Sequence, residues 1–402
     1  MPWNETNVQE ERFRFIEDWR SGGWNLATLC RSYGVTRKTG YKWIERYQEG
    51  GLNGLCDASR APRHHPNAIP LEIEDRLIAV RERYPLWGAR KIRAWLEREE
   101  PELELPAVST IGALLKQNGL TVPRRRRRTA RPNSEPLAHA RGPNLVWCAD
   151  FKGWFRTGDG TRIDPLTISD AYSRYLLRCQ AVWAADFAHA KPVFEAAFRE
   201  YGLPERVRTD NGAPFGSNGE SGLTGLTVWW IKLGIQPERI QPGQPQQNGR
   251  HERMHRTLKQ ATASPPAATR LRQQQRFDEF RREYNEQRPH EALGQIPPRQ
   301  VYVCSSQPYP ARVPEVEYPG GWQVRRVFQG GQIRWRQVKI FVAKALVGEP
   351  VGLEQIEERY WRVWFASYEV GVLDEAQGMI YRPDRWAKRR QREIQRDRRA
   401  DL

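Results

Sequence analysis

The spacing of apolar residues divides the chain into a helical first third, a mixed central segment and a β-rich segment near the end. Leu77 and Val80 stand three positions apart in a repeating pattern, which predicts amphipathic helices in the first third. A continuous apolar run ends at Asp150, as in a buried strand. Around residues 333 to 336, apolar and basic positions alternate, which predicts strands with one buried face. The sequence therefore predicts a multidomain protein with all-α modules first, an α/β layer fold next and a small all-β barrel or sandwich last.

Residues 1 to 60 have the layout of a helix-turn-helix. A short apolar helix begins at Leu26, a turn falls at Gly34, and Thr36 is placed to cap a second helix. A plain helical hairpin would share this layout, but the basic residues favour a DNA-binding domain. The first turn of the second helix, where such motifs read bases, carries three candidate DNA-binding residues: Arg37, Lys38 and Thr39.

Residues 61 to 123 predict a second helical module, and residues 124 to 142 a basic linker. Ser109 is a candidate helix cap within the module. The module is interpreted either as a second helix-turn-helix or as a structural spacer. The linker opens with an uninterrupted basic run that has no apolar face to bury. Either solvation or contact with phosphates explains such a run, and we predict DNA binding for Arg124, Arg125, Arg126, Arg127 and Arg128.

The mixed segment, residues 143 to 300, contains three acidic residues in distinctive settings. Asp150 ends a predicted strand, Asp210 ends another and precedes Asn211-Gly212, and Glu252 opens a basic helix. Carboxylates that cluster in space stay ionised together only if cations lie between them. Oxygen ligands of this kind suit Mg²⁺ or Mn²⁺, and a pair of such ions is the usual device for displacement at phosphate. The pattern favours an enzyme that cuts or joins nucleic acid.

The remaining segments predict a linker over residues 301 to 319, a small β domain over 320 to 381 and a basic tail over 382 to 402. Lys plus Arg number 65 and Asp plus Glu 48, so the formal net charge is +17. Such a balance fits a polyanionic partner, although a merely basic protein would share it. The five cysteines are scattered and unpaired in spacing, and no signal peptide or membrane span is evident. We therefore expect a cytoplasmic, nucleoid-associated protein with no membrane contact.

Several segments together resemble a known family. The four that carry the likeness in the central segment are residues 147–153, 209–212, 246–253 and 284–294. They resemble the integrase core of bacterial insertion-sequence transposases, a branch of the DDE transposase and retroviral integrase superfamily. Upstream, residues 37–43 and 84–92 are similar to the helical modules of that family. The resemblance covers roughly residues 10 to 300.

The resemblance implies a central ribonuclease H-like fold and a specific reaction. Asp150, Asp210 and Glu252 match the catalytic triad of the family and would hold two Mg²⁺ or Mn²⁺ ions, with Asp150 bridging them. The implied chemistry is cleavage at a transposon end followed by attack of the freed 3′-hydroxyl on target DNA. Arg256 and Lys259, on the face of Glu252, would contact the DNA end. The implied partners are double-stranded DNA, as transposon ends and target, and further copies of the chain in a dimer or tetramer.

Two departures from retroviral integrases are visible. The gap from Asp210 to Glu252 is 252 − 210 = 42 positions, somewhat longer than usual, and the glycine-rich residues 216 to 225 predict a loop that accounts for it. The chain also lacks their N-terminal His/Cys zinc module, whose place the predicted helix-turn-helix takes. Neither departure removes a triad residue.

Other interpretations compete at single residues and for the whole chain. His251 to His255 fits the zinc-protease pattern H-E-x-x-H, but Arg253 would put a cation beside the zinc and both aspartates would be unexplained. Asp170 could replace Asp150 as a catalytic group, although turn chemistry is a sufficient reason for it. A catalytically inactive DNA-binding protein or repressor and an RNA-cutting nuclease of the same fold also remain alternatives.

Overall fold

The computed structural model describes residues 7–57, 69–121, 139–217, 221–240 and 249–400, with side chains as far as residue 392. The chain forms two compact units, Met1–Ile69 and Pro70–Leu402. The predicted order of all-α modules, an α/β core and an all-β segment is confirmed. The finer domain boundaries drawn from the sequence stay predictions.

The first unit contains three helices, α1 (Val8–Arg20), α2 (Leu26–Ser32) and α3 (Arg37–Gly50). The Thr36 side chain accepts a hydrogen bond from the Thr39 N–H, so the predicted cap of α3 is present. Gly40 allows a close helix crossing, because a Cβ at this position would lie 2.5 Å from Cys30 Sγ. Apolar side chains fill the space between the helices: Phe15, Ile16, Leu29, Cys30, Ile44 and Leu55 are buried.

The second unit begins with three helices, α4 (Leu71–Arg83), α5 (Ala89–Glu99) and α6 (Val108–Gln117). They dock on the core through aromatic side chains. Trp87 is fully buried, stacks on Tyr84 with ring centroids 3.9 Å apart, and donates its indole N–H to Glu283 Oε1 at 3.0 Å. Trp95 Nε1 donates to Gln287 Oε1 at 3.2 Å. The module is therefore fixed to the core by hydrogen bonds that buried indoles need.

A mixed sheet forms the centre of this unit. Its strands are β1 (Val146–Phe151), β2 (Phe155–Arg156), β3 (Arg162–Asp170), β4 (Leu176–Val182), β5 (Arg206–Thr209) and β6 (Gln236–Arg239). β4, β3 and β1 pair antiparallel in that order, β2 extends a hairpin with β3, and β1, β5 and β6 pair parallel. The antiparallel strands β1 to β4 are thus followed by crossovers that bring β5 beside β1.

Helices cover both faces of the sheet. α7 (Phe187–Tyr201) and α8 (Gly225–Lys232) lie on the face that includes Trp147 and Ala149. α9 (Gly249–Thr262) and α10 (Arg270–Arg282) lie on the opposite face. Since side chains alternate along a strand, Asp150 projects from the face on which α9 packs.

The last segment consists of β-strands followed by one helix. Its strands are β7 (Gln323–Arg326), β8 (Gln332–Trp335), β9 (Val338–Phe341), β10 (Pro350–Glu357), β11 (Tyr360–Phe365), β12 (Tyr368–Asp374) and β13 (Met379–Tyr381), followed by α11 (Pro383–Ala400). A five-stranded antiparallel sheet runs β13-β12-β11-β10-β7, beside a β8-β9 hairpin. Ile333 and Trp335 are buried while Arg334 and Arg336 are exposed, as the alternation predicts.

Three details of the sequence interpretation are wrong or incomplete. Ser109 does not cap α6, which begins after Ala107 without a side-chain cap. The short strand β6 was not predicted, because it shows no alternation and contains Pro237. The apolar spacing of Phe13, Ile16 and Trp19 predicts that Phe13 faces the core of the first unit, but Phe15 is buried there and Phe13 is 40% exposed. Among the described helices, none has the length and apolar content that a membrane crossing needs.

The docked Trp87 yields a stability prediction. Trp87→Ala should lower the free energy of unfolding of the full chain by about 3–5 kcal/mol. The substitution removes a fully buried aromatic side chain and the hydrogen bond that its indole N–H donates to the Glu283 carboxylate. Urea denaturation followed by circular dichroism measures the change. Leu71→Ala, at an exposed position of α4, is the control and should shift stability by less than about 0.5 kcal/mol. Equal effects of the two substitutions would contradict the docking.

Candidate active site

Two of the three predicted carboxylates lie at the same edge of the sheet. β1 and β5 are parallel neighbours whose last paired residues are Cys148 and Arg208. Continuing that register by two positions brings Asp150 opposite Asp210, just beyond the end of β5. Because neighbouring strands are roughly 4.8 Å apart, this register makes Asp150 and Asp210 neighbours across the two strands.

Asp210 sits in a setting that disfavours its charge in the absence of a cation. Its side chain is partly buried, and burial raises the pKa of the carboxyl, an effect only partly offset by the Gly212 N–H. That N–H donates to Asp210 Oδ1 at 3.3 Å. Asn211 Nδ2 donates to Ile240 O at 3.0 Å, so the turn after Asp210 is tied to the end of β6. A bound divalent cation would compensate the burial.

Glu252 lies in the first turn of α9, on the exposed side of the helix. Arg256 and Lys259, one and two turns further on, are exposed as well. These three residues share one flank of α9, as their spacing predicts. The exposed flank of α9 therefore carries one carboxylate followed by two cations.

The buried flank of α9 contributes two imidazoles to a cluster with hydroxyls of β3. His251 Nε2 and His255 Nε2 each lie 2.6 Å from Thr167 Oγ1 on β3. Ser169 Oγ lies 3.2 Å from His251 Nδ1, and His255 Nδ1 lies 3.7 Å from Asp150 Oδ2. Burial lowers the pKa of His251 to about 3 and also lowers that of His255, so both rings are neutral at neutral pH. Sequence reasoning named these histidines only as zinc ligands, and it did not name Thr167 or Ser169.

The same cluster bears on which metal the site suits. One ligand atom each from Asp150, His251 and His255 lie within 4.8 Å of one another, which is an arrangement that a transition metal can use. Both Nε2 atoms are nevertheless taken up by the Thr167 hydroxyl. Glu252 is exposed, whereas both histidines are buried. The H-E-x-x-H pattern is thus a structural pair of histidines, and the carboxylate oxygens fit hard ions such as Mg²⁺ or Mn²⁺.

Asp170 is engaged in holding a turn. Its carboxylate accepts hydrogen bonds from Asn144 N at 2.8 Å, Ser173 N at 2.7 Å and Ser173 Oγ at 2.6 Å. The residue is 1% exposed. These contacts favour the structural interpretation of Asp170 over the catalytic one.

The predicted DNA-reading turn of the first unit is exposed in part. Arg37 and Lys38 are exposed at the start of α3, whereas the Thr39 hydroxyl lies 2.9 Å from Thr36 Oγ1 within the cap. Tyr41, which sequence reasoning missed, is 62% exposed and lies one turn after Arg37. In the sequence, the position of Tyr41 between the basic residues Lys38 and Lys42 was the feature that could have indicated it. The arginines Arg124, Arg125, Arg126, Arg127 and Arg128 lie outside the described residues.

Family comparisons account for most of the chain. Residues 140–245 and 233–298 match the integrase core domain family, and residues 6–56 and 39–115 match homeodomain-like domains. Residues 322–380 match the C-terminal domain of IS481 family transposases. The chain belongs to the insertion-sequence transposases with an integrase core. The homeodomain-like matches mark this transposase as a DNA-binding protein.

Relatives of the transposase come from bacterial insertion elements. The 39.2 kDa protein of insertion element IS476 from Xanthomonas euvesicatoria is 29% identical over 292 residues, which are 71% of this chain and 80% of that protein. The 31.7 kDa protein of insertion element IS407 from Burkholderia multivorans is 29% identical over 236 residues, or 58% of this chain and 80% of that protein.

Retroviral integrases are among the solved structures that resemble the chain. The HTLV-2 integrase catalytic core domain in complex with magnesium aligns with a TM-score of 0.32 at 15% identity, over 40% of this chain and 99% of that one. The simian T-cell lymphotropic virus intasome aligns with a TM-score of 0.37 at 15% identity, over 73% of this chain and 94% of that one.

The contacts of Asp170 yield a prediction that separates it from the other aspartates. Asp170→Asn should lower the free energy of unfolding by about 2–3 kcal/mol, because an amide N–H₂ would face donors that now meet a charged oxygen. Urea denaturation measures the loss, with the exposed Glu279→Gln on α10 as the control. A variant of unchanged stability that has lost activity would instead make Asp170 a catalytic group.

Proposed function

We propose that this chain is a DNA transposase that cleaves transposon ends and joins the freed 3′-hydroxyl to target DNA by two-metal-ion phosphoryl transfer. The observation that carries the proposal is the parallel register of β1 and β5, which brings Asp150 and Asp210 to one edge of the sheet. α9 contributes Glu252 from the helix that packs on the same face as Asp150. We assign these three carboxylates, each from a different element, to one site.

In this proposal Asp150, Asp210 and Glu252 bind the ions through oxygen atoms. Two divalent ions, when bound, supply activation of the attacking oxygen and stabilisation of the leaving oxygen. The protein holds the carboxylates on a strand edge and a packed helix, which are rigid elements. Such placement supports catalysis because the reacting groups keep their geometry without reorganisation.

Cations beside the carboxylates support DNA as the substrate. Arg256 and Lys259 follow Glu252 along the exposed flank of α9, and Lys152 follows Asp150 two residues on. We assign the first two to contacts with the phosphates of the transposon end. In the first unit, Arg37, Lys38 and Thr39 are assigned to recognition of the end sequence, with Thr39 acting through the cap of α3. Because two ends have to be joined together, the working form is assigned as a homo-oligomer, a dimer or tetramer.

The triad assignment predicts a metal-dependent reaction that each carboxylate variant loses. On a labelled duplex carrying the element's own end, the wild type should form joined product with Mg²⁺ or Mn²⁺ and none with EDTA. Asp150→Asn, Asp210→Asn and Glu252→Gln should each lower the rate by about a thousandfold or more, because several kcal/mol of charge stabilisation is lost. Strand-transfer product on a denaturing gel is the measurement.

The matched control is Glu279→Gln, which removes an exposed carboxylate from α10 and should react as the wild type does. DNA-end binding should persist in the three triad variants. Tight end binding by the wild type without cleavage under any metal would support the inactive DNA-binding protein or repressor. Cleavage of RNA but not of DNA would support the nuclease alternative.

The recognition helix predicts a change in salt dependence. Arg37→Ala and Lys38→Ala should each weaken binding of the end duplex, and a lost phosphate contact should reduce the slope of log affinity against log salt by about one. Fluorescence anisotropy of the end duplex across a KCl series measures both quantities. Arg14→Ala, at an exposed position of α1, is the control. Unchanged affinity and slope in both α3 variants would remove this helix from the interface.

A further inference from the structure

We propose that Thr167 is a positioning residue that joins Asp150 to helix α9 and so sets where Glu252 stands relative to Asp150. The inference rests on the proposed function, because it concerns the spacing of two of the proposed metal-binding carboxylates. Its ligand class is a hard divalent cation. Thr167 itself does not touch the ion or the DNA, since it is fully buried.

The backbone places Thr167 directly beside Asp150. The two residues are partners in the antiparallel register of β1 and β3, so their side chains project from the same face of the sheet. Thr167 Oγ1 lies 3.1 Å from the Asp150 carbonyl oxygen. Ser169 is two residues further along β3 and therefore projects from that face as well. The strand thus presents two hydroxyls beneath α9 next to the carboxylate.

The imidazoles of α9 complete a connected chain of polar groups. A neutral imidazole has one donor and one acceptor nitrogen, and a hydroxyl has one donor and two acceptor positions. The negative charge of Asp150 favours the His255 tautomer with hydrogen on Nδ1, which faces Asp150 Oδ2 at 3.7 Å. His255 Nε2 then accepts the Thr167 hydroxyl proton at 2.6 Å, a shorter contact than the 3.1 Å to the Asp150 carbonyl.

The remaining donors can all point in the same direction. With its proton given to His255, Thr167 Oγ1 accepts from His251 Nε2 at 2.6 Å. His251 Nδ1 then accepts from Ser169 Oγ at 3.2 Å. Successive donors run from Ser169 through His251, Thr167 and His255 towards the carboxylate, and aligned hydrogen bonds polarise one another. The last step, at 3.7 Å, is an electrostatic contact and is too long for a hydrogen bond.

The position of Glu252 depends on this series of hydrogen bonds. His251 precedes Glu252 by one residue and His255 follows it by three, so Thr167 holds α9 on both sides of the glutamate along the sequence. Removing the hydroxyl leaves two buried Nε2 atoms without that partner, and the first turn of α9 has to move to satisfy them. Because groups behind a metal site orient its ligands, their loss typically costs about 10–100-fold in metal affinity or activity.

The test compares Thr167→Val, which removes the hydroxyl at similar volume, with Thr167→Ser, which keeps it. The full-length chain is titrated with Mn²⁺ in the absence of DNA, and free Mn²⁺ is followed by electron paramagnetic resonance. Thr167→Val should weaken Mn²⁺ binding about 10–100-fold, and Thr167→Ser should remain within a few-fold of the wild type. The half-saturating Mn²⁺ concentration for end cleavage should rise in parallel, with end binding in EDTA unchanged.

Two further variants make the outcome decisive. Thr262→Val removes another buried hydroxyl of α9, which bonds only to Leu258 O at 2.8 Å within the helix, and should leave Mn²⁺ binding as in the wild type. If Thr167→Val does not fold, His255→Gln breaks the same chain and should weaken Mn²⁺ binding likewise. Wild-type Mn²⁺ affinity in a folded Thr167→Val or His255→Gln protein would overturn the proposal, as would equal weakening by Thr262→Val.

The assay also separates this inference from the proposed function. Asp210→Asn lacks a proposed metal ligand and should lose Mn²⁺ binding, although the hydrogen bonds around Thr167 are intact in this variant. If Asp210→Asn binds Mn²⁺ as the wild type does, the carboxylate site itself is wrong and the role of Thr167 fails with it. If only Asp210→Asn loses binding and both Thr167 variants keep it, the metal site stands and the positioning role is refuted.

Discussion

The parallel pairing of β1 with β5 is the constraint on which the rest of the structure depends. It brings two aspartates, Asp150 and Asp210, to one edge although 60 positions separate them (210 − 150). Bringing like charges together is unfavourable unless cations are bound. The surrounding layers supply the compensating packing, with α7 and α8 on one face and α9 and α10 on the other. The apolar core thus fixes the backbone positions of both aspartates.

The helices that precede the core, α4 to α6, are docked on it by two sequence motifs. The segment that resembles the family at residues 84–92 contacts residues within and just before the segment 284–294, through Trp87 on Glu283 and Lys91 on the Pro289 carbonyl oxygen. The Lys91 amine contacts Pro289 within this interface, and burial lowers its pKa to about 8. The distinctive sequence around Tyr284 therefore serves to dock helices α4 to α6, and none of its side chains is needed to explain the acidic edge. Two motifs that read separately in the sequence form one interface.

Much of this arrangement could be predicted from local sequence. The strand that carries Asp150 followed from an apolar run, although it extends one residue further, to Phe151. The cap at Thr36 followed from its residue type and position. The contacts of Thr167 could not be predicted, because a threonine within a strand has no local pattern that identifies its partners on a distant helix. His251 and His255 showed a spacing compatible with zinc, and only the tertiary contacts reveal that both face a hydroxyl. Phe13 and Phe15 differ by two positions on a helix, and neighbouring helices decide which one is buried.

The central claim is that carboxylates at the ends of β1 and β5 and on α9 hold divalent ions. The most direct test is a crystal of the full chain soaked in Mn²⁺, with data collected near the manganese absorption edge. The account predicts anomalous peaks whose ligands are carboxylate oxygens of Asp150 and Asp210, with Glu252 joining them. A peak ligated by His251 and His255 nitrogens, with Asp210 and Glu252 unligated, would contradict it.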